Sequence, residues 1–410
     1  MSEKIKLYPS YWLYNASVVG LLRILESNNL DVKNYLKDDG TVELETNLFK
    51  INNNKKIPDI LKYLIDFEVT EDDLNDWLNR IDDKQKITNK DKYKEELDNL
   101  GLGDYGYKYI RAHGKLFASK KPFQNLVQRN EWMEFKLAEL LKKIPYLENM
   151  DSDITCSICN KNKVIFNEND KFITRFHKLQ ITHLENLAPS IDIYPNSFWA
   201  LKESLYICSL CAYLLIHYLY AFISLSDSSE IFINAPSFKL MYYLNKFARE
   251  IYGTNLNEKT DNKREILAMS LIEYTLRFQS TLSKWLKMNI EIVIRKENRI
   301  EFFNLPYQII NLLSDRKIAS ILSQIGEFII LNKFLDGKYS ELIDIGYKFL
   351  KIGLKPYNER TASEKKYINE NLKLDNNRKK PKLIAELIFK LITYIEEKRR
   401  EEFYEFTRKI

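Results

Sequence analysis

The chain has 410 residues, of which 45% are hydrophobic, and its formal net charge is +6. This length and apolar content suffice for two packed domains, and they exclude a disordered or collagen-like chain. The charge is too small to establish a polyanionic partner by itself, so that inference depends on where the cations cluster.

The N-terminal half mixes helical and strand-like patterns. An apolar stretch at 11–22 predicts a buried first helix, because the residues after it offer no signal-peptide cleavage site. Alternation at 41–50 predicts a strand, and helical spacing recurs within 55–100 and at 132–148.

The C-terminal part has a different character. The segments 290–294 and 300–305 predict a β-hairpin that Pro306 ends, and helical periodicity continues from 307 to the end of the chain. We therefore predict an α+β protein. A mixed N-terminal domain at 1–305, with an inserted zinc knuckle at about 150–215, precedes an all-α helical bundle at 306–410.

All four cysteines fall into two C-x-x-C pairs, Cys156 with Cys159 and Cys208 with Cys211. Two such turns supply the four thiolates of a closed tetrahedral zinc site, which has no open position for a substrate. Two disulfides or four buried thiols are the alternatives. A C-x-x-C disulfide closes a very small ring and adds little stability, and disulfides belong to oxidising compartments. The separation at 160–207 exceeds that of a common zinc ribbon, so the predicted structural zinc knuckle carries an insertion.

The uncharged stretch at 204–226 is long enough to span a bilayer. It contains the second cysteine pair and His217, so we predict a helix buried beside the knuckle, with His217 as a core residue and no membrane contact. A cytoplasmic location follows, where reduced thiolates are normal.

A segment without carboxylates, 105–130, is the candidate nucleic-acid site and is interpreted as a loop. Cations neutralise phosphates, interleaved aromatic rings stack on bases, and amides read base edges. A solvated basic loop is the alternative. The candidate phosphate ligands are Lys108, Arg111, Lys115, Lys120, Lys121 and Arg129, and the candidate base readers are Gln124 and Asn125.

A catalytic alternative uses only the second of the two cysteine pairs. His183 and Glu185 ahead of the second cysteine pair resemble the H-x-E…P-C-x-x-C pattern of zinc deaminases. Ile207 stands where that pattern has proline, and the first pair would have no role. We therefore assign no catalytic residue and expect a protein that is not an enzyme.

The two cysteine pairs, together with the aromatic opening at 8–22 (YPSYWLYNASVVGLL), resemble the CXXC–CXXC large-subunit family of type I-B CRISPR Cascade complexes. The resemblance covers the whole chain, although only these two features are specific. It implies a non-catalytic subunit that recognises the protospacer-adjacent motif, helps to open target duplex DNA and stabilises the displaced strand.

The resemblance also implies partners. These are double-stranded target DNA and its displaced strand, a crRNA-containing Cascade with backbone and small subunits, and a separately recruited helicase–nuclease that cuts the target. A helical scaffold that binds only protein is the remaining alternative.

Overall fold

The structure is a computed structural model. It describes residues 4–51, 57–82, 102, 105–116, 136–149, 152–164, 176–180, 204–225, 229–252, 268–273, 275, 290–296, 299–372 and 380–407.

The first part of the chain alternates short strands with helices. Its elements are β1 (Lys4–Leu7), α1 (Trp12–Ser27), β2 (Val42–Glu45), α2 (Asp59–Glu68), α3 (Glu71–Asp82), α4 (Tyr105–Leu116), α5 (Lys136–Leu141), β3 (Lys178–Gln180), β4 (Ser204–Tyr206) and α6 (Ser209–Leu215). Short 3-10 helices include Val32–Asn34, Thr46–Phe49, Ile144–Asn149 and Tyr218–Ala221.

The later part begins with β5 (Ile223–Ser224), β6 (Glu230–Asn234), α7 (Phe238–Tyr252), β7 (Glu291–Lys296) and β8 (Arg299–Asn304). Helices then follow one another: α8 (Tyr307–Leu313), α9 (Arg316–Ile325), α10 (Phe328–Leu335), α11 (Tyr339–Leu354), α12 (Ala362–Asn371) and α13 (Lys380–Thr407). A 3-10 helix at Tyr357–Glu359 precedes α12.

All the sheets in the described part of the chain are small. β1 pairs antiparallel with β2, and β3 pairs antiparallel with β4. The other four strands form one sheet in the order β5-β6-β7-β8. The described residues therefore form a mixed α and β structure, as predicted.

Helix α1 is buried on almost every face, so its polar residues need partners within the protein. The Asn15 side chain accepts from the Ser10 N–H and donates to the Ser10 carbonyl, both at 2.7 Å. The Ser17 hydroxyl donates to the Leu13 carbonyl within the helix. The first helix is confirmed, and it forms a central element of its unit.

Contacts divide the chain into two compact units. The first contains Met1–Phe222, Pro236–Tyr242 and Ile294–Glu301, and the second contains Ile223–Ala235, Tyr243–Val293 and Phe302–Ile410. The last change of unit lies close to Pro306, but the second unit also takes earlier segments. The division into domains at 1–305 and 306–410 stays a prediction.

In the second unit, α11 and α13 pack closely because two glycines of α11 face α13. A Cβ atom at Gly353 would lie 2.7 Å from the Lys382 backbone nitrogen, and one at Gly346 would lie 3.2 Å from Ile388 and Phe389 side-chain atoms. The predicted helical character of this region is confirmed, as are the two strands that precede it.

Two predictions of local structure are wrong. The uncharged stretch at 204–226 is not one helix but β4, α6, a 3-10 helix and β5 in succession. The start of the segment without carboxylates is helix α4 rather than a loop, because Tyr109, Ala112 and Leu116 recur on one face and are buried. Along the described part of the chain, no helix combines the length and the apolar content that crossing a membrane requires.

Candidate metal centre

The first C-x-x-C pair lies in a tight hairpin turn. A β-bridge between Thr155 and Lys163 closes the turn, and within it the Cys156 N–H donates to the Asn162 carbonyl at 2.9 Å. The Asn160 N–H donates a hydrogen bond to the Cys156 carbonyl at 2.9 Å, and Asn160 has a φ of 51°. Asparagine tolerates this left-handed conformation better than most residues, so the turn is encoded just after Cys159.

The second pair lies where a strand becomes a helix. Cys208 has an extended backbone and is the N-cap of α6, and its Sγ accepts a hydrogen bond from the Cys211 N–H at 3.5 Å. This extended entry explains why the stretch at 204–226 cannot be a continuous helix. β4 pairs with β3, and the chain turns into the helix only at the cysteine.

Backbone hydrogen bonds hold the two turns together. The Ser157 N–H donates to the Tyr206 carbonyl at 2.9 Å, which ties the first turn to β4. The Ile207 N–H donates to the His177 carbonyl at 2.9 Å, and His177 Nδ1 lies 2.7 Å from the Ile207 carbonyl. Between the two cysteine pairs, His177 and strand β3 therefore lie against β4 and support the backbone that leads into the second turn.

The four sulfur atoms converge. All four Sγ atoms lie within 4.8 Å of one another, and no disulfide joins them. Zn–S bonds of about 2.3 Å in a tetrahedron place the sulfurs about 3.8 Å apart, so the cluster fits such an ion after small adjustments. Cys156, Cys208 and Cys211 are buried, whereas Cys159 is half-buried. The predicted ligand set is thus brought together as one candidate metal site.

A bound cation would favour the deprotonated form of the cluster. Burial raises the pKa values of the Cys208 and Cys211 thiols well above the usual value for cysteine. Hydrogen bonds from Cys156 and from the other two thiols lower the pKa of Cys159. Four thiolates in such a small buried volume repel one another, and a divalent ion offsets that repulsion. Cysteine sulfur is a soft ligand that suits zinc.

The opening segment of the chain lies beside this cluster. Tyr14 of α1 is buried, and its pKa is raised first by burial and then by its closeness to the sulfur atoms of Cys211 and the other cysteines, whose ionised forms would repel a tyrosinate. α1 also packs against α6, which begins within the second turn. The two features that carry the family resemblance are therefore neighbours in the fold, although more than a hundred residues separate them in sequence.

Three of the candidate nucleic-acid residues, Lys108, Arg111 and Lys115, are described, and all three lie on α4. Their spacing places them on one face of the helix, towards α2 and α3. Each has a carboxylate partner within 4.0 Å: Lys108 Nζ lies 3.0 Å from Asp66 and 3.1 Å from Glu71, Arg111 lies 3.4 Å from Asp73, and Lys115 Nζ lies 2.9 Å from Asp73.

This pairing is the feature that the sequence pattern could not reveal. The segment itself lacks carboxylates, but the fold supplies them from two other helices. Only 12% of the Lys108 side chain is exposed, so a phosphate would compete with existing ion pairs for it. Phosphate binding by these three residues stays a prediction. Lys120, Lys121, Gln124, Asn125 and Arg129 lie outside the described residues, as do His183 and Glu185 of the deaminase-like pattern.

His217 is a core residue, as predicted. It is fully buried, and its Nδ1 lies 2.9 Å from the Tyr213 carbonyl, which identifies that nitrogen as the donor. Its Nε2 has no hydrogen-bond partner among the described residues. Burial lowers the pKa of His217 to about 4, only partly opposed by hydrogen bonds to the backbone of Tyr213 and Leu214.

The buried imidazole predicts acid sensitivity. The pKa of histidine is about 6.5 in the unfolded chain and about 4 here, so its contribution to stability is complete above pH 6.5 and is lost as the pH falls towards 4. The full loss is about 3 kcal/mol for this one group. We expect His217→Phe, which keeps an aromatic ring against Tyr213, to flatten the fall in unfolding free energy over this range. Denaturant titrations of both proteins at several pH values check this, and equal slopes would contradict it.

Comparison of this chain with protein-family models, with curated proteins and with solved structures gave no match.

Proposed function

We propose that this protein is a non-catalytic large subunit of a crRNA-guided type I-B CRISPR surveillance complex, acting in the cytoplasm, with structural zinc held by Cys156, Cys159, Cys208 and Cys211. In this role it recognises the protospacer-adjacent motif, helps to open the target duplex and stabilises the displaced strand. The observation that carries the proposal is the convergence of both C-x-x-C pairs into one cluster, together with the packing of α1 against α6, whose N-cap is Cys208.

The chemistry of the cluster supports a structural role for the metal. Four protein ligands complete the tetrahedral shell of zinc, so no position is left for a water or a substrate. The ligands come from two turns that are far apart in sequence and that hydrogen bonds such as Ser157 N–H to the Tyr206 carbonyl hold together. When bound, zinc supplies the cross-link that fixes these turns, because metal binding and local folding are coupled.

The nucleic-acid role assigns different tasks to different side chains. Guide pairing reads most of the target sequence, and the protein reads a short motif together with the shape of the backbone. We place phosphate contact on the cations of 105–130 and base contact on Gln124 and Asn125. Because a phosphate would compete with carboxylates for the three cations of α4, Lys120 and Lys121 are the residues to replace first.

We expect Lys120→Ala plus Lys121→Ala to weaken binding of every duplex to the assembled complex. Each lost phosphate contact removes about 0.9 from the slope of log affinity against log salt, so the slope falls by about 1.8. Gln124→Ala plus Asn125→Ala should instead change the preferred motif at an unchanged salt slope. Binding titrations across salt concentrations and motif sequences check both expectations.

The matched control is Lys33→Ala plus Lys50→Ala, which removes the same charge from exposed positions elsewhere in the first unit. It should leave the slope unchanged. Equal binding by the wild type and both test variants at every salt concentration would refute the placement of the site.

Purification tests the assignment to a complex. An affinity-tagged chain, expressed with its neighbouring genes, should copurify with a short guide RNA and with repeated backbone subunits. Purification with proteins but without RNA would favour a helical scaffold. Deamination of a nucleobase that disappears in Glu185→Ala would overturn the non-catalytic assignment.

A further inference from the structure

We propose that Asn162 couples the two C-x-x-C turns and sets the affinity of the site for its metal ion. The inference rests on the zinc site of the proposed function and concerns a residue outside both cysteine motifs. Asn162 acts through the cysteines and not on the metal itself, so it is a positioning residue.

Asn162 contacts three of the four cysteines. Its carbonyl accepts from the Cys156 N–H at 2.9 Å, and its own N–H points at Cys159 Sγ at 3.5 Å. Its side-chain Nδ2 reaches across to the other turn and lies 3.6 Å from Cys208 Sγ. Only 7% of the residue is exposed. One buried residue thus directs N–H donors at a sulfur of each turn.

The local fold fixes this position. Asn160 reverses the chain in its left-handed conformation, and the Val164 N–H then donates to the Ile154 carbonyl at 2.9 Å. Asn162 lies between these two points, held by its hydrogen bonds to the first turn. Its side chain therefore meets Cys208 from a rigid backbone rather than from a free loop.

The electrostatics of the site give these donors a large effect. Four thiolates around Zn²⁺ carry a net charge of about −2 in a mostly buried volume, and N–H groups directed at sulfur stabilise that charge. Residues that hydrogen-bond to metal ligands change metal affinity by about 10- to 100-fold when they are replaced. A buried amide also needs partners of its own, which the sulfurs supply.

The test uses the full chain and Zn²⁺ in competition with a chelator. Asn162→Asp keeps the shape of the side chain but replaces the amide donor by a carboxylate that faces Cys208. We expect its zinc affinity to fall by at least about 100-fold, at the upper end of the range for such partners. The matched control is Asn160→Asp, an equal change of charge in the same turn on an exposed side chain, which should stay within about twofold of the wild type.

Cobalt substitution separates electronic coupling from a merely structural effect. Hydrogen bonds to sulfur lower the energy of its lone pairs, so their removal should shift the sulfur-to-cobalt charge-transfer band to longer wavelength in Asn162→Asp. Should that variant fail to fold, Asn162→Ala removes only the donor to Cys208 and should lose about 10-fold in zinc affinity.

The possible outcomes distinguish failure of the role of Asn162 from failure of the proposed zinc site on which it rests. Equal zinc affinity and an equal cobalt band in the Asn162 and Asn160 variants would overturn the role of Asn162 and leave the zinc site intact. A wild-type chain that binds no zinc would overturn the zinc site itself, and the coupling role with it.

Discussion

Cys156→Ser is expected to lose the metal ion and to open the first C-x-x-C turn. A serine hydroxyl is a poor zinc ligand, and the remaining three sulfurs do not close the tetrahedral shell. Structural zinc sites contribute about 10–16 kcal/mol of binding free energy, which is coupled to folding, so loss of the ion should unfold the segments that it joins. Elemental analysis should give one zinc per wild-type chain and less than a tenth of that in the variant. Limited proteolysis should cut first within 152–164 or 204–215.

The control for this experiment lies next to the ligand. Ser157→Ala changes an exposed side chain between the two cysteines and keeps the backbone N–H that bonds to Tyr206. It should retain full zinc content and the wild-type proteolysis pattern. Full zinc content in Cys156→Ser would contradict ligation by four sulfurs and would favour a site built on fewer cysteines.

The convergence of the four cysteines could be predicted from sequence because its signal is local. The spacing within each pair directs two thiols to one centre, and the two pairs together supply the four ligands that a closed zinc site needs. Asn162 carried no such signal. Its role depends on a hairpin that places an amide against a sulfur more than forty residues further along the chain.

Helix α4 shows why composition alone misleads about electrostatics. The sequence at 105–130 contains no acidic residue, and its pattern alone favours a basic loop. Periodicity was the better guide, because Tyr109, Ala112 and Leu116 mark a buried helical face. The carboxylates of Asp66 and Asp73 come from other helices, so only the tertiary structure shows that the cations are paired.

The prediction of one helix at 204–226 is wrong for a related reason. The hydropathy of this stretch gave no sign of where the strand ends and the helix begins, since the apolar sequence continues across both and residues 207–218 are all buried. The division depends on β3, on the partner cysteines and on α1, all of which are distant in sequence. Hydropathy therefore predicted burial correctly and the secondary structure wrongly.

Gly20→Ala should be among the most destabilising single substitutions in the first unit. Gly20 lies where α1 crosses the backbone at the end of α6, and a Cβ atom there would lie 2.0 Å from the His217 carbonyl oxygen and 2.9 Å from its carbon. Backbone atoms cannot move aside as a flexible side chain does. Overpacking a core costs about 1–3 kcal/mol, and a contact this short belongs at or above the upper end. We expect the unfolding free energy to fall by about 3 kcal/mol or more, measured by denaturant titration of the zinc-loaded chain.

Gly114→Ala is the matched control, because it makes the same change within helix α4, where a Cβ atom would meet nothing within 4 Å. Alanine favours helix over glycine by about 1 kcal/mol, so this variant should be as stable as the wild type or more stable. Opposite signs for one chemical change would locate the effect in the contact between α1 and His217.

The same contact should also affect metal binding, since α1 packs against α6 and the N-cap of α6 is Cys208. Gly20→Ala should therefore weaken zinc retention as well, whereas a destabilised chain that holds zinc as tightly as the wild type would show that α1 does not support the cluster.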